Sequence, residues 1–334
     1  MINKIIDNAI IDWHRLTGKI PFRMTNDYLF RALMQDNNDV LRTLIAALLG
    51  WRKSDITSAV IENPITLGRA LDSKTYVLDV KVQINNNLVM NLELQVLNTG
   101  NWPERSLAYL CRMFDSLNRG SEYTDVKPVH HIGILGFELF PENPVFNATY
   151  QLYDKENLQR YTDKFTLSAV CLPYIGKATE KDKRSRLTEW AEMFAATEWE
   201  ELRMIARQNK DIDIAVTSMF TLFQDDNIRE QMIARDEYYA HENYMKRTIE
   251  EQKILLDEKD RALDAKDRSL KEKDKALDDK NRSLKEKDKA LDEKDKALDE
   301  KDRSLKEKNK ELDEKNRIIE ELKRQIYSTN KKMK

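Results

Sequence analysis

The 334-residue sequence is short of cysteine, of long apolar runs and of any excess of one charge, and each shortage removes a class of protein. Its two cysteines, Cys111 and Cys171, lie in apolar surroundings without metal-ligand spacing or an evident histidine partner. Both are expected in the core, and a disulfide framework is not expected. No stretch reaches the length of apolar sequence needed to cross a bilayer. The opening MINKIIDNAIIDWHRLTGK is interrupted by Asp7, Asp12 and His14, which leaves no apolar signal-peptide core. A soluble, cytoplasmic protein with no membrane partner is the expectation. Residues 1–250 hold 30 basic and 35 acidic side chains, and residues 251–334 hold 27 and 24. Neither portion announces nucleic acid by bulk charge, so any DNA contact needs a local patch. A P-loop, a glycine-rich dinucleotide fingerprint and a GxSxG elbow are all missing, which sets aside the common nucleotide and hydrolase readings.

What is present begins with helix. TNDYLFRALMQDNNDVLRTLIAALLG (25–50) has Thr25 or Asn26 to cap it, leucines at helical spacing, an Asn37–Asn38 pair able to split it, and Gly50 at the exit. Residues 56–70 look irregular around Pro64. A helix is predicted over 102–119, with Asn101 as cap, Glu104 three residues on, and an apolar face of Leu107, Leu110, Cys111, Phe114 and Leu117. Strands are predicted within 128–137, 144–153 and 165–173. From 183 to 250 the pattern is helical, with Trp190, Phe194, Trp199, Leu202, Ile205, Met219 and Phe220 as core candidates. This order describes a mixed α/β domain followed by a helical extension.

The segment YVLDVKVQINNNLVMNLELQV (76–96) is a hairpin by its alternation. Tyr76, Leu78, Val80, Val82 and Ile84 share one face, and Asp79, Lys81 and Gln83 the other. Val89, Asn91, Glu93 and Gln95 likewise oppose an apolar face. With Asn85, Asn86 and Asn87 as the loop, Ile84 faces Leu88 and Asp79 falls opposite Glu93. Like charges placed so are destabilising. On a partly buried face, one acid should take a proton or both should share a cation. A hard divalent ion such as Mg²⁺ suits two carboxylates, and Gln95 offers another oxygen on that face. The bland alternative is an outward polar face with Asp79 paired to Lys81 or an arginine. Downstream, Arg105, Arg112 and Arg119 recur every seventh residue with Tyr109 among them, a basic stripe suited to DNA phosphates or to solvent. His130 and His131 are adjacent on a strand, so they point apart and are expected to be structural.

From Leu256 a leucine stands at every seventh position to Leu312, followed by Ile319. A coiled coil needs two apolar positions per heptad. Here Lys259 to Lys315 and acids or asparagines such as Asp260 and Asn281 fill the second position, and blocks such as SLKEKDKALD recur at 269–278 and 283–292. A solvated single helix and a weak coiled coil both remain open. In either form the segment is a spacer or an arm for homo-oligomers.

An Asp on one strand, then Glu-x-Lys-like spacing on the next and a following helix, resembles the PD-(D/E)XK nucleases. The ordered set DYLFRALM, LDVKVQ, LELQV, WPERSLAYLCRMFDSL, GSEYTDVKPVHHIGIL and LTEWAEMF is similar to their recombination-promoting nuclease and transposase branch over residues 22–245. The resemblance implies an α/β fold, a mixed sheet flanked by helices, in a domain over 1–175. A helical extension over 176–250, a charged heptad helix over 251–327 and a disordered tail over 328–334 would follow. It implies a DNA endonuclease acting in recombination, with Asp79 and Glu93 as ligands of Mg²⁺ or another divalent cation. Gln95 would stand where the superfamily has lysine. Glutamine cannot titrate or carry charge but can orient water, and Lys81 could supply the missing positive charge. Asp79, Glu93, Gln95 and Lys81 would be catalytic, and Arg105, Tyr109, Arg112 and Arg119 would bind DNA. Two rivals stand beside this reading: a catalytically weakened DNA- or protein-binding module, and a filament-like scaffold in which the charged arm is the working part.

Overall fold

The computed structural model describes residues 12–65, 67, 79–115 and 122–332. Asparagine side chains organise the first two helices. Asn26 accepts from the Leu29 amide (3.1 Å) to start α1, Asp27–Asp36. Asn37 is extended (φ −125°, ψ 98°), and its carbonyl oxygen accepts from the amides of Asp39 and Val40 to start α2, Asn38–Leu49. One residue thus ends the first helix and caps the second, the break expected at 37–38. Gly50 closes α2 with φ +65°, a left-handed conformation glycine adopts freely.

The six strands are β1 Ala59–Ile61, β2 Val80–Ile84, β3 Leu88–Gln95, β4 Val129–Leu135, β5 Asn147–Gln151 and β6 Phe165–Cys171. They form one sheet in the order β1-β2-β3-β4-β6-β5. β3, β4 and β6 run parallel, and the outer pairings are antiparallel. The hairpin has the expected register, Ile84 to Leu88 through Val80 to Leu92. Asn85 and Asn86 turn the loop at φ 49° and 62°, and the Asn85 side chain accepts from the Thr57 amide (2.8 Å). The paired stretch starts at Val80, and residues 76–78 lie outside the described residues. β1 falls where the sequence looks irregular: three residues carry no periodicity, and pairing with β2 alone makes them a strand.

Helices cover both faces of the sheet. α3, Trp102–Phe114, lies over Val89, Val129 and Leu167, packing Leu110 and Met113 against them. On the other face Val80, Val82, Met90, Leu92, Ile132 and Ile134 share the main core with α1, α2, α5 (Leu187–Ala195), α6 (Trp199–Gln208) and α7 (Lys210–Phe223). The short α4, Glu180–Arg184, precedes them. Two expectations for α3 are corrected. Its buried residues are Trp102, Ser106, Leu110 and Met113, while Leu107 and Cys111 are exposed, so only Cys171 is a core cysteine. Asn101 makes no side-chain cap, because its carbonyl oxygen accepts instead from the Thr99 hydroxyl at 2.6 Å.

The compact unit runs Met1–Arg247, and helices after residue 176 contribute to its main core. The last helix, α8, spans Asp226–Lys332. Its first part is tied to α1 by a buried pair. Arg235 donates to both Asp27 carboxylate oxygens, and the Tyr239 hydroxyl donates to the same group at 2.7 Å. Thr248–Lys334 forms the second unit, whose heptad leucines are all exposed. No helix among the described residues is long and apolar enough to cross a membrane.

Asn37 also donates to the Ser218 hydroxyl of α7 (2.8 Å), so its loss should be felt in two places. Asn37→Ala is expected to destabilise the first unit by about 1–2 kcal/mol, read as a lower urea midpoint of tryptophan fluorescence. An unchanged midpoint would contradict the double role.

Candidate active site

The parallel register of β3 and β4 sets Asn91 beside His131 and Glu93 beside Gly133, on the face beneath α3. Gly133 has no side chain for a reason of space. A Cβ there would lie 2.1 Å from the Trp102 ring, so the indole occupies the room a side chain would take. Trp102 begins α3, and its seat on β4 orients the helix so that Arg105 reaches Glu93. The Arg105 Nε donates to Glu93 Oε1 at 2.7 Å.

Glu93 is 2% exposed. Its second oxygen, Oε2, has no hydrogen-bond partner and faces His131 Nε2 at 3.6 Å. Burial pushes its pKa up, nearby Asp79 pushes the same way, and Arg105 opposes without reversing the direction.

Asp79 stands one residue before β2, where the hairpin register continued by one step sets it opposite Glu93. It is placed by a clamp. Arg31, 1% exposed on α1, donates to the Asp79 carbonyl oxygen and to both oxygens of Asn63. Asn63 donates to the same Asp79 oxygen (3.1 Å) and accepts from the Lys81 amide (2.9 Å). Burial raises the Asp79 carboxyl pKa, with the Arg31 charge the main influence against it.

The other predicted residues are placed as follows. The Lys81 ammonium pairs with Glu62 at 3.0 Å. The Gln95 amide donates to the Leu97 carbonyl (2.9 Å). The Arg105 and Arg112 guanidinium groups lie 5.3 and 5.9 Å from the Tyr109 ring centre. Tyr109 in turn stacks on His131. Asp79, Glu93, Arg105 and Tyr109 therefore meet, with Arg112 at the rim, whereas Arg119 lies outside the described residues.

Four neighbours were not singled out for this site by sequence reasoning: Arg31, Asn63, Asn91 and His131. The two histidines do diverge, as expected. His130 contacts the Ser168 hydroxyl (2.8 Å) with its pKa lowered to about 4. His131 lies wholly buried in the site, its pKa lowered to about 3 by burial first. The alternation of β4 separates the pair, but only pairing with β3 brings one of them to Glu93.

Among the described residues no group of three or more His, Cys, Asp or Glu side chains is arranged to hold a metal. The two carboxylates nevertheless fit a hard divalent cation. Such an ion commonly takes one or two carboxylates and fills its other positions with water and phosphate oxygens. Glu93 Oε2 is a buried oxygen lacking a partner, and both acids have carboxyl groups whose charge is poorly compensated.

Residues 24–251 match the family model described as PD-(D/E)XK nuclease family transposase. No curated protein and no solved structure gives a significant match.

Two predictions follow from this geometry. Gly133→Ala must displace Trp102 and is expected to cost about 1–3 kcal/mol, measured by chemical unfolding; a neutral effect would refute the close seat. Because the folded-state pKa of Glu93 is raised, its stabilising share is fully present below the ordinary value of 4.5 and is lost as pH rises through the raised value. In EDTA, Glu93→Gln should therefore gain Tm relative to wild type as pH rises above 4.5. A relative loss over that range would show that Arg105, not burial, dominates.

Proposed function

From the premise that this chain belongs to the PD-(D/E)XK nuclease family transposases, we propose a metal-dependent DNA endonuclease that hydrolyses phosphodiester bonds in recombination. Nuclease-type function on DNA comes with the family. The observation that supports the finer reading is the pair of buried carboxyl groups with raised pKa, one of them with a free oxygen, beside a cationic helix face.

Asp79 and Glu93 would hold Mg²⁺ or another divalent ion. When bound, such an ion lowers the pKa of a water, orients the phosphate and neutralises its growing charge. The remaining work falls to the chain. Among the described residues, Arg105 uses only Nε toward a protein acceptor, which leaves its other N–H groups for phosphate oxygens. Arg112 adds positive charge at the rim beside the Tyr109 ring. Gln95 gives its amide protons to Leu97, so its carbonyl oxygen is the group that can accept from and orient a water; it carries no charge and takes no proton. Arg31 and Asn63 keep Asp79 in place by its backbone. The residues after Arg247 would serve as a spacer or self-association arm.

A second reading is favoured by a specific observation. Gln95 is neutral and the Lys81 ammonium is taken by Glu62, which describes a weakened catalyst that still binds DNA or a protein.

Supercoiled-plasmid cleavage by the full-length protein separates the two. Nicking should require Mg²⁺, stop in EDTA, and fall by on the order of a hundredfold or more in folded Asp79→Asn and Glu93→Gln variants. DNA binding without cleavage under any divalent ion would establish the binding module. Cleavage that survives both substitutions would place the active site elsewhere.

A further inference from the structure

We infer that Asn91 and His131 are positioning residues for Glu93: Asn91 selects the His131 tautomer, and His131 aims its N–H at the free oxygen of the Glu93 carboxylate. The inference rests on the reading of Asp79 and Glu93 as a cation-binding pair.

Asn91 is buried to 2% on β3, two residues before Glu93 and on the same face. Its amide nitrogen lies 3.2 Å from His131 Nδ1. An amide nitrogen can only donate, so Nδ1 is the acceptor and the ring proton resides on Nε2. That nitrogen faces Glu93 Oε2 at 3.6 Å, and neither atom has a hydrogen-bond partner. The separation is longer than a hydrogen bond. In unliganded sites such contacts are often long and tighten when the reactive complex forms.

Packing leaves the imidazole little freedom to turn away. It is fully buried, with the Tyr109 ring stacked on it (centroids 5.8 Å, planes 8° apart) and the Trp102 ring at 5.6 Å. The chain Asn91, His131, Glu93 thus reaches the acid through uncharged groups. Arg105 holds Glu93 Oε1 and the His131 N–H points at Oε2, so a cation would take the lone pairs that these donors leave. A phenylalanine would fill the same stacked space without the N–H. A glutamine would offer an amide N–H at a similar reach.

The test uses full-length protein with ¹⁵N-labelled histidine, of which the chain has four. Long-range ¹H–¹⁵N spectra in EDTA, assigned by the peak lost in His131→Phe or His131→Gln, should show His131 protonated at Nε2. The Nδ1–H tautomer would overturn the inference. Calorimetric titration with Mn²⁺, without DNA, should show binding about ten- to a hundredfold weaker in His131→Phe, with most of it restored in His131→Gln. Unfolding midpoints are read in parallel, and a folded His131→Phe that binds Mn²⁺ like the wild type would also overturn it. If the wild type neither binds Mn²⁺ nor cleaves DNA, the proposed nuclease reading fails by itself. The tautomer measured in EDTA then decides the positioning of Glu93 alone.

Discussion

The seat of the Trp102 ring on Gly133 is the contact on which the candidate site depends. It fixes how α3 is rotated over the sheet, and the rotation decides which helix residues look down at β3 and β4. Leu110 and Met113 go to the satellite core, Arg105 goes to Glu93, and Tyr109 goes to His131. Leu107 and Cys111, apolar enough to suggest the buried side, are turned to solvent as the consequence. A helix packed by its leucines would carry Arg105 away from the acid.

That site is arranged against its own stability. Two carboxyl groups sit in surroundings that disfavour their charge, and both pKa values move up despite arginines nearby. A buried ion pair such as Arg105–Glu93 is weak evidence of net stabilisation, because desolvation opposes the attraction. Strain of this kind persists only where the surroundings over-determine it. Here the surroundings are the six-stranded sheet, the Arg31–Asn63 clamp and the aromatic stack around His131. A bound divalent cation would reverse the electrostatic cost, so the feature that works against stability would favour cation binding.

The two ends of α8 illustrate different uses of one helix. Before Arg247 it joins the first unit through Arg235 and Asp27, a pair completed by the Tyr239 hydroxyl and two ring faces. After it, the leucine stripe stays exposed and lysine holds the second heptad position. Charge pairs four residues apart support such a helix without a partner, each by a few tenths of a kcal/mol.

The sequence by itself determined the local facts. Alternation and a three-asparagine loop were enough for the hairpin register and for setting Asp79 against Glu93, because side chains must alternate along a strand. Two asparagines were enough for the α1–α2 break, and a glycine for the end of α2. The heptads were enough for a long helix. Tertiary structure alone decided the rest. β1 has too few residues for a pattern of its own. His131 became part of the site only through parallel pairing with β3, and Arg31 only because α1 crosses the start of β2. Such contacts join residues dozens of positions apart. Periodicity reports which face a side chain takes on its own element; it carries no information about which distant element will cover that face.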